Sequence, residues 1–243
     1  MENATQKNSI KPYSTNQAKL DFFAMLKSDE TAQRFNTYYK ELVAYNEKVN
    51  LTAITEESEV YVKHFYDSCL PYETLPKNAT VVDVGTGAGV PGVPLKIIRP
   101  DIKLTLVDSL QKRVVFLDEL CNKINIQSTN VHARAEDFAL KNKAKFDVAV
   151  ARAVAKLNTL LEYLLPLVKI GGFVLAYKGS NYNEELEEAK KALSVLGGEC
   201  VEVKNFNLPN NAGERNIIII KKIKQTPPQY PRGQNKPKQN PIV

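Results

Sequence analysis

The chain reads as a Rossmann-like α/β protein with a seven-stranded, mostly parallel sheet, helices on both faces and an α-helical preface. Three observations predict it. After Pro76, apolar strand-like runs alternate with helical periodicities; the run Thr80–Val84 ends in three alternate glycines; and a second run ends on Asp108. Strands alternating with helices at this length build βαβ units, whose parallel sheet is covered on both sides.

Residues 1–16 form a loose polar lead-in. Over 17–49 apolar residues recur at helical spacing, at Phe22, Met25 and Leu26 and then at Phe35, Tyr38, Leu42, Tyr45 and Val49. A further helix is predicted over about 57–70, with Thr55 as N-cap and Ser58 and Glu59 following. Residues 1–75 are thus a helical extension packed on the core. The strands of the core domain, 76–224, are Thr80–Val84, Lys103–Val107, Asn130–Ala133, Asp147–Ala151 and Gly172–Tyr177. Val93–Ile98 separates the first two. Between the second and third lies Leu110–Ile124, where Leu110, Val114, Leu117, Cys121 and Ile124 keep a helical stripe. A helix around Asn183–Leu196 is stopped by Gly197 and Gly198. Two last strands, Cys200–Phe206 and Asn216–Ile223, are joined as a hairpin.

At 243 residues, 43% hydrophobic and 25% charged, the composition suits a globular enzyme with a substantial core. The N-terminus lacks an apolar signal region, and no run approaches the roughly 18 apolar residues of a membrane span, so a cytoplasmic protein with no membrane partner is expected. Cys69, Cys121 and Cys200 lie far apart with no paired spacing and are expected to be reduced and buried. The only histidines, His64 and His132, leave little material for a zinc site or a serine triad, and no metal is expected. His64 is expected to be packed in the preface and His132 to be structural.

The net charge of +6 is uneven. Residues 221–243 hold Lys221, Lys222, Lys224, Arg232, Lys236 and Lys238 and no acid; taking those six from 33 bases leaves 27, equal to the acids. Five prolines between 227 and 241 argue for a tail, 225–243, of extended backbone without a core of its own. If all six cations neutralised phosphates of single-stranded RNA, log affinity would fall against log salt with a slope of about −4.

The chemistry concentrates in residues 80–108. The strand is followed by Gly85, Gly87 and Gly89, which let the backbone turn sharply and approach a ligand, and Pro91 is placed to start a helix. Gly87, Gly89 and Gly92 alone would satisfy a dinucleotide fingerprint. Asp83 discriminates: a diphosphate gains nothing from a carboxylate there, whereas S-adenosylmethionine (SAM) carries a sulfonium and an ammonium and no phosphate. Asp108 can accept bonds from ribose hydroxyls, or instead cap the next helix, a duty Ser109 could take. After the third strand come Arg134, Ala135, Glu136 and Asp137, where an acid could meet the adenine amino group or cap a helix. Arg152 stands at the carboxyl edge of the sheet, where open α/β sheets bind ligands, or serves a surface ion pair.

These residues extend into a resemblance. Asn46–Ile54, Lys63–Ser68, the glycine loop through Pro94, Thr105–Arg113, Arg134–Asp137, Ala151–Ala155, Tyr177–Gly179 and Tyr230–Arg232 together resemble, in order, the bacterial small-subunit rRNA guanine-N7 methyltransferases (RsmG, once called glucose-inhibited division protein B). The resemblance spans about 46–241. It departs at Tyr45, where many relatives carry Trp. It implies a class I SAM-dependent methyltransferase that modifies N7 of a guanosine in 16S rRNA (position 527 in the usual rRNA numbering), free or in a small-subunit particle. The implied cofactor contacts are Gly85, Val90, Ala135, Glu136 and Arg152, with Asp108 and Ser109 near the ribose; Lys178 and Arg232 are candidates for RNA contact. Guanine N7 bears a free lone pair at neutral pH, so no catalytic acid or base is expected, and alignment carries the reaction. Competing readings are a methyltransferase of small molecules, a non-enzymatic RNA-binding factor, and a nicotinamide oxidoreductase.

Overall fold

The computed structural model describes Ala24 and residues 28–243; the expected helical positions Phe22, Met25 and Leu26 lie outside the described residues. Helix α1, Asp29–Asn46, is capped by the Ser28 hydroxyl, which accepts the Thr31 N–H at 3.2 Å, and carries Asp29 and Glu30 in its first turn, where acids favour the helix dipole. Its buried stripe is Phe35, Tyr38 and Leu42. The next helix, α2, is Glu57–Glu59, then a wider π-helical Val60–Tyr66, then Asp67–Cys69. Its cap is Glu56 and not Thr55: the Glu56 carboxylate accepts the Glu59 N–H at 2.9 Å as well as the Ser58 hydroxyl.

The sheet comprises β1 (Thr80–Val84), β2 (Lys103–Asp108), β3 (Ser128–His132), β4 (Phe146–Arg152), β5 (Val168–Lys178), β6 (Gly198–Asn207) and β7 (Glu214–Lys222). Spatially the order is β3-β2-β1-β4-β5-β7-β6, parallel from β3 to β5, with β7 antiparallel to both β5 and β6. Helices α3 (Gly92–Ile98), α4 (Gln111–Lys123), α5 (Ala135–Lys141), α6 (Leu157–Leu164), α7 (Tyr182–Glu188) and α8 (Lys190–Leu196) connect the strands. The single helix expected over 183–196 is therefore two, broken at Ala189, and Gly197 closes the second in the left-handed region at φ +84°. A short helix, α9, occupies Lys236–Gln239.

Neighbouring residues of a strand feed opposite cores. Val81 packs with Phe35, Tyr38, Phe65, Leu106 and Leu117, whereas Val82 packs with Val107, Leu160, Leu164 and Ile218. The helical preface thus shares one core with the sheet; Tyr38 and Phe65 have ring centroids 4.7 Å apart. Cys69 and Cys121 are buried, but Cys200, on edge strand β6, is only half-buried. Among the described residues no helix is long and apolar enough to cross a membrane.

The tail is ordered on the body. Pro237 and Ile242 are buried, Ile242 within the same core as α6, and the backbone of 225–243 folds over the protein as a strap. The reason lies on α6, where the fully buried Glu162 requires a cation, and Arg232 supplies it.

Candidate active site

The turn after β1 hangs from β2. Gly85 and Thr86 donate their N–H groups to the Val107 carbonyl at 2.8 and 3.2 Å, and the Gly87 N–H reaches the Asp108 carboxylate at 2.9 Å. Gly85, Gly87 and Gly89 all have positive φ, from +61° to +97°. They differ in what surrounds them. A methyl group on Gly85 would stand 2.7 Å from Val154, and one on Gly89 would stand 2.8 Å from the Tyr38 hydroxyl, whereas one on Gly87 would meet nothing within 4 Å. Gly89 is therefore buried packing against the preface, and Gly85, Gly87 and Val90 form the part-exposed rim of the loop.

Asp83 braces this loop from beneath. It is fully buried; its Oδ2 accepts from the Thr86 hydroxyl at 2.6 Å and the Gly92 N–H at 2.8 Å, and its Oδ1 has no partner. Burial pushes its carboxyl up to about 6, against the lowering effect of those bonds and of nearby Arg152. Asp83 thus acts as the loop's anchor, with one carboxylate oxygen left over. A buried carboxylate beneath the loop favours a cationic ligand over a diphosphate through its charge and not by contact.

Asp108, at the end of β2, is 2% exposed. Besides Gly87 it accepts the Leu110 N–H at 2.9 Å and Arg113 Nη1 at 3.3 Å. A carboxylate offers about four lone-pair sites, so one remains for a ribose hydroxyl, and a second opens if the long Arg113 contact releases. Neither Asp108 nor Ser109 caps α4: Leu110 occupies that position without a side-chain bond. Ser109 is exposed, and its carbonyl contacts His132 Nε2 at 3.0 Å. Ala135 and Glu136 open α5 just past β3, with Glu136 buried and accepting the Asn235 N–H at 3.2 Å.

Arg152, ending β4, belongs to a buried cluster contributed by the preface. Its Nη1 donates to the Lys63 carbonyl at 2.7 Å and to Asp67 at 2.8 Å, and its Nη2 reaches His64 Nδ1 at 3.1 Å. Asp67, fully buried, also takes Arg215 Nε at 2.7 Å. This is neither a surface ion pair nor a free guanidinium. The carbonyl of Lys63 lies in the π-helical turn, a distortion common at functional sites. Burial and the adjacent Arg152 charge depress His64 to about 4. Asp67 and Arg215 went unassigned from sequence because partners 148 residues apart leave no spacing to detect.

Beside the glycine loop, at the carboxyl ends of β4 and β5, opens a cleft of about 560 Å³. Val154 forms part of its wall and also touches the loop at Gly85. Lys63, Arg152, Lys156, Lys178 and Arg215 give it a cationic lining, with Glu185 the acid among the lining residues. Lys178 is buried and committed to the Ala155 carbonyl and Glu185 at 2.7 and 2.6 Å. Arg232 is not at this cleft; its guanidinium is held by Glu162.

The strand order, the antiparallel β7, the glycine loop after β1 and the acid ending β2 define a class I SAM-dependent methyltransferase. Solved structures of that architecture superpose on it: a SAM-dependent methyltransferase from Aquifex aeolicus (17% identity, 68% of this chain and 93% of that one, TM-score 0.53) and the ribosomal protein L11 methylase from Lactobacillus delbrueckii subsp. bulgaricus (19%, 67% and 79%, TM-score 0.52). The chain belongs to the GidB family, described as rRNA small subunit methyltransferase G, whose model matches residues 31–218. Similar relatives carry the name ribosomal RNA small subunit methyltransferase G: one from Lactobacillus acidophilus is 49% identical over 88% of this chain and 92% of that one, and one from Staphylococcus saprophyticus 50% identical over 89% and 92%.

Proposed function

We propose that this chain methylates N7 of a guanosine in 16S rRNA, with SAM held on the glycine loop and the target base in the adjoining cationic cleft. The observation that carries the reading is the shared wall: Val154 touches the loop glycine and lines the cleft, so donor and acceptor would meet across one side chain. The residues fit the cofactor, since the loop leaves open space at Gly87, Asp108 retains an acceptor site for a ribose and the buried Asp83 carboxylate beneath the loop favours a cationic donor.

The chemistry that SAM supplies when bound is an electrophilic methyl group on a sulfonium. The protein's part is alignment. Gly85, Gly87 and Val90 would receive the donor's methionyl end, Asp108 and Ser109 its ribose side, and Ala135 and Glu136 its adenine. Arg152 would act by holding the floor of the cleft, its guanidinium being occupied by Lys63, His64 and Asp67. His64 is unsuited to be a base: Nδ1 faces the Arg152 donor and Nε2 faces Thr52 Oγ1 at 2.9 Å. N7 needs no deprotonation, and positioning reactants in this way supplies on the order of several kcal/mol.

Incubation with radiolabelled SAM and unmodified 16S rRNA, with and without ribosomal proteins, followed by mapping of the methyl group, tests the reading. Incorporation at one guanine N7 is expected. Label on another atom, or transfer only to a small molecule, overturns it.

A further inference from the structure

Residues 225–243 contribute nothing to the cleft, yet they are fastened to the body by a set of specific bonds that converge near Glu136. Glu162 of α6 is fully buried, and both its oxygens are occupied by one residue: Arg232 donates its backbone N–H and Nε to Oε1 at 2.8 and 2.9 Å, and Nη2 to Oε2 at 2.7 Å. The same Nη2 donates to the Asn240 carbonyl at 2.8 Å, so one guanidinium ties two points of the strap to α6. Thr159 holds the Pro237 carbonyl at 3.1 Å, and Lys143 holds that of Pro228 at 2.7 Å. Between the tied points lies Asn235, the N-cap of α9 at φ +60°, whose N–H donates to Glu136 Oε1 at 3.2 Å.

We propose that Arg232 is a positioning residue for the methyl donor: through the strap it holds Asn235 against Glu136 and so fixes the acidic wall that receives the adenine. The inference rests on the reading of Glu136 as a cofactor contact. A buried Glu–Arg pair contributes little net stability compared with apolar packing of equal volume, but its geometry specifies where the chain lies. Three directed bonds on one carboxylate set the register of the strap, and the register decides whether the Asn235 N–H meets Glu136. Glu136 and Glu162 belong to helices that pack against each other, α5 on α6, so the strap's anchor and its contact on Glu136 rest on one packed pair. Because coupling between two sites is reciprocal, occupation of the donor site must in turn tighten the strap.

Two measurements test this. In calorimetric titration, Arg232→Gln is expected to weaken SAM binding by about tenfold, within the usual range for coupled sites, and Arg232→Lys by less; turnover at saturating SAM and the KM for RNA stay unchanged. In a Glu136→Gln background the Arg232 substitution adds no further loss. On the unaltered protein, where folding of a variant is not at issue, saturating SAM slows hydrogen exchange of residues 233–240. Unchanged exchange there overturns the proposal, as does an unchanged dissociation constant for a folded Arg232→Gln protein, while Glu136→Gln still weakening SAM keeps the cofactor reading intact. If Glu136→Gln leaves SAM affinity unaltered although the wild type binds, the Glu136 contact falls and the proposal falls with it.

Discussion

Arg152 Nη2 lies 3.1 Å from Nδ1 of His64, and since a guanidinium can only donate, that nitrogen is the unprotonated one. His64 is therefore the neutral Nε2–H tautomer, donating to Thr52, and burial beside Arg152 lowers it to about 4. An unfolded histidine titrates near 6.5. The unfolded chain accordingly binds more protons between about pH 6.5 and 4, and His64 makes the fold less stable as pH falls through that window.

Asp83 has the opposite sign. Its folded value of about 6 exceeds the ordinary 3.8, so the folded protein binds more protons between those values and stability falls as pH rises through them. The two groups offset each other. Asp83→Asn retains an acceptor for Thr86 and Gly92 and removes the buried charge. It is expected to raise stability at pH 8 by up to about 3 kcal/mol, to make acid loss from pH 6 to 4 steeper than in the wild type, and to weaken SAM binding. Urea denaturation at several pH values checks the first two. A variant parallel to the wild type across that range would refute the assignment.

Asp67 pairs with two guanidinium groups at once, that of Arg152 on Oδ2 and that of Arg215 on Oδ1. Asp67→Ala strands both, and breaking a buried ion pair on one side costs about 3–5 kcal/mol. A midpoint in urea close to that of the wild type would show that the cluster relaxes at no cost.

The loop glycines separate packing from binding. Gly85→Ala meets Val154 and Gly89→Ala meets Tyr38, so both should destabilise the protein. Gly87→Ala meets no protein atom, and its cost in stability should be only the ~1–2 kcal/mol of a left-handed alanine. The added methyl nevertheless occupies the space assigned to SAM, so its affinity should fall at least about tenfold, or ~1.4 kcal/mol. Melting curves and SAM titration on the same samples distinguish the two effects.

For RNA, the basic segment 221–243 offers fewer free charges than its composition suggests. Arg232 is paired, and the buried Lys222 donates to the Leu165 and Leu196 carbonyls; Lys221, Lys224, Lys236 and Lys238 stay exposed. If those four meet phosphates of single-stranded RNA, replacing them with Gln should flatten the slope of log affinity against log salt by about 3, not 4. An unaltered slope removes this basic segment from RNA binding.

The local part of this protein was legible in its sequence. Thr80–Val84, the glycine turn and Asp108 are adjacent along the chain, and their burial pattern and dihedrals follow from residue type. Helix α6 is missing from the sequence reading although Leu157, Leu160, Leu161 and Leu164 recur at helical spacing, and that stripe is the signal that could have found it. The Pro-rich composition of the tail describes an isolated segment and does not disclose that the strap is ordered on the body by a carboxylate 70 residues away. Arg152 was placed correctly at the sheet edge, but its partners Lys63, His64 and Asp67 come from the preface, 85 to 89 residues upstream.

The position of β7 governs how the molecule can be assembled. Ile217, Ile218, Ile219 and Ile220 form the sheet's most adhesive stretch, and they lie between β5 and β6 instead of at a margin. During synthesis β5 and β6 emerge first, yet in the folded sheet both pair with β7 and not with each other, so both depend on a strand that follows them in the chain. A ribosome stalled before residue 214 would thus leave the free side of β5 uncovered, the kind of exposed border that templates association, until the final strand fills the place beside it.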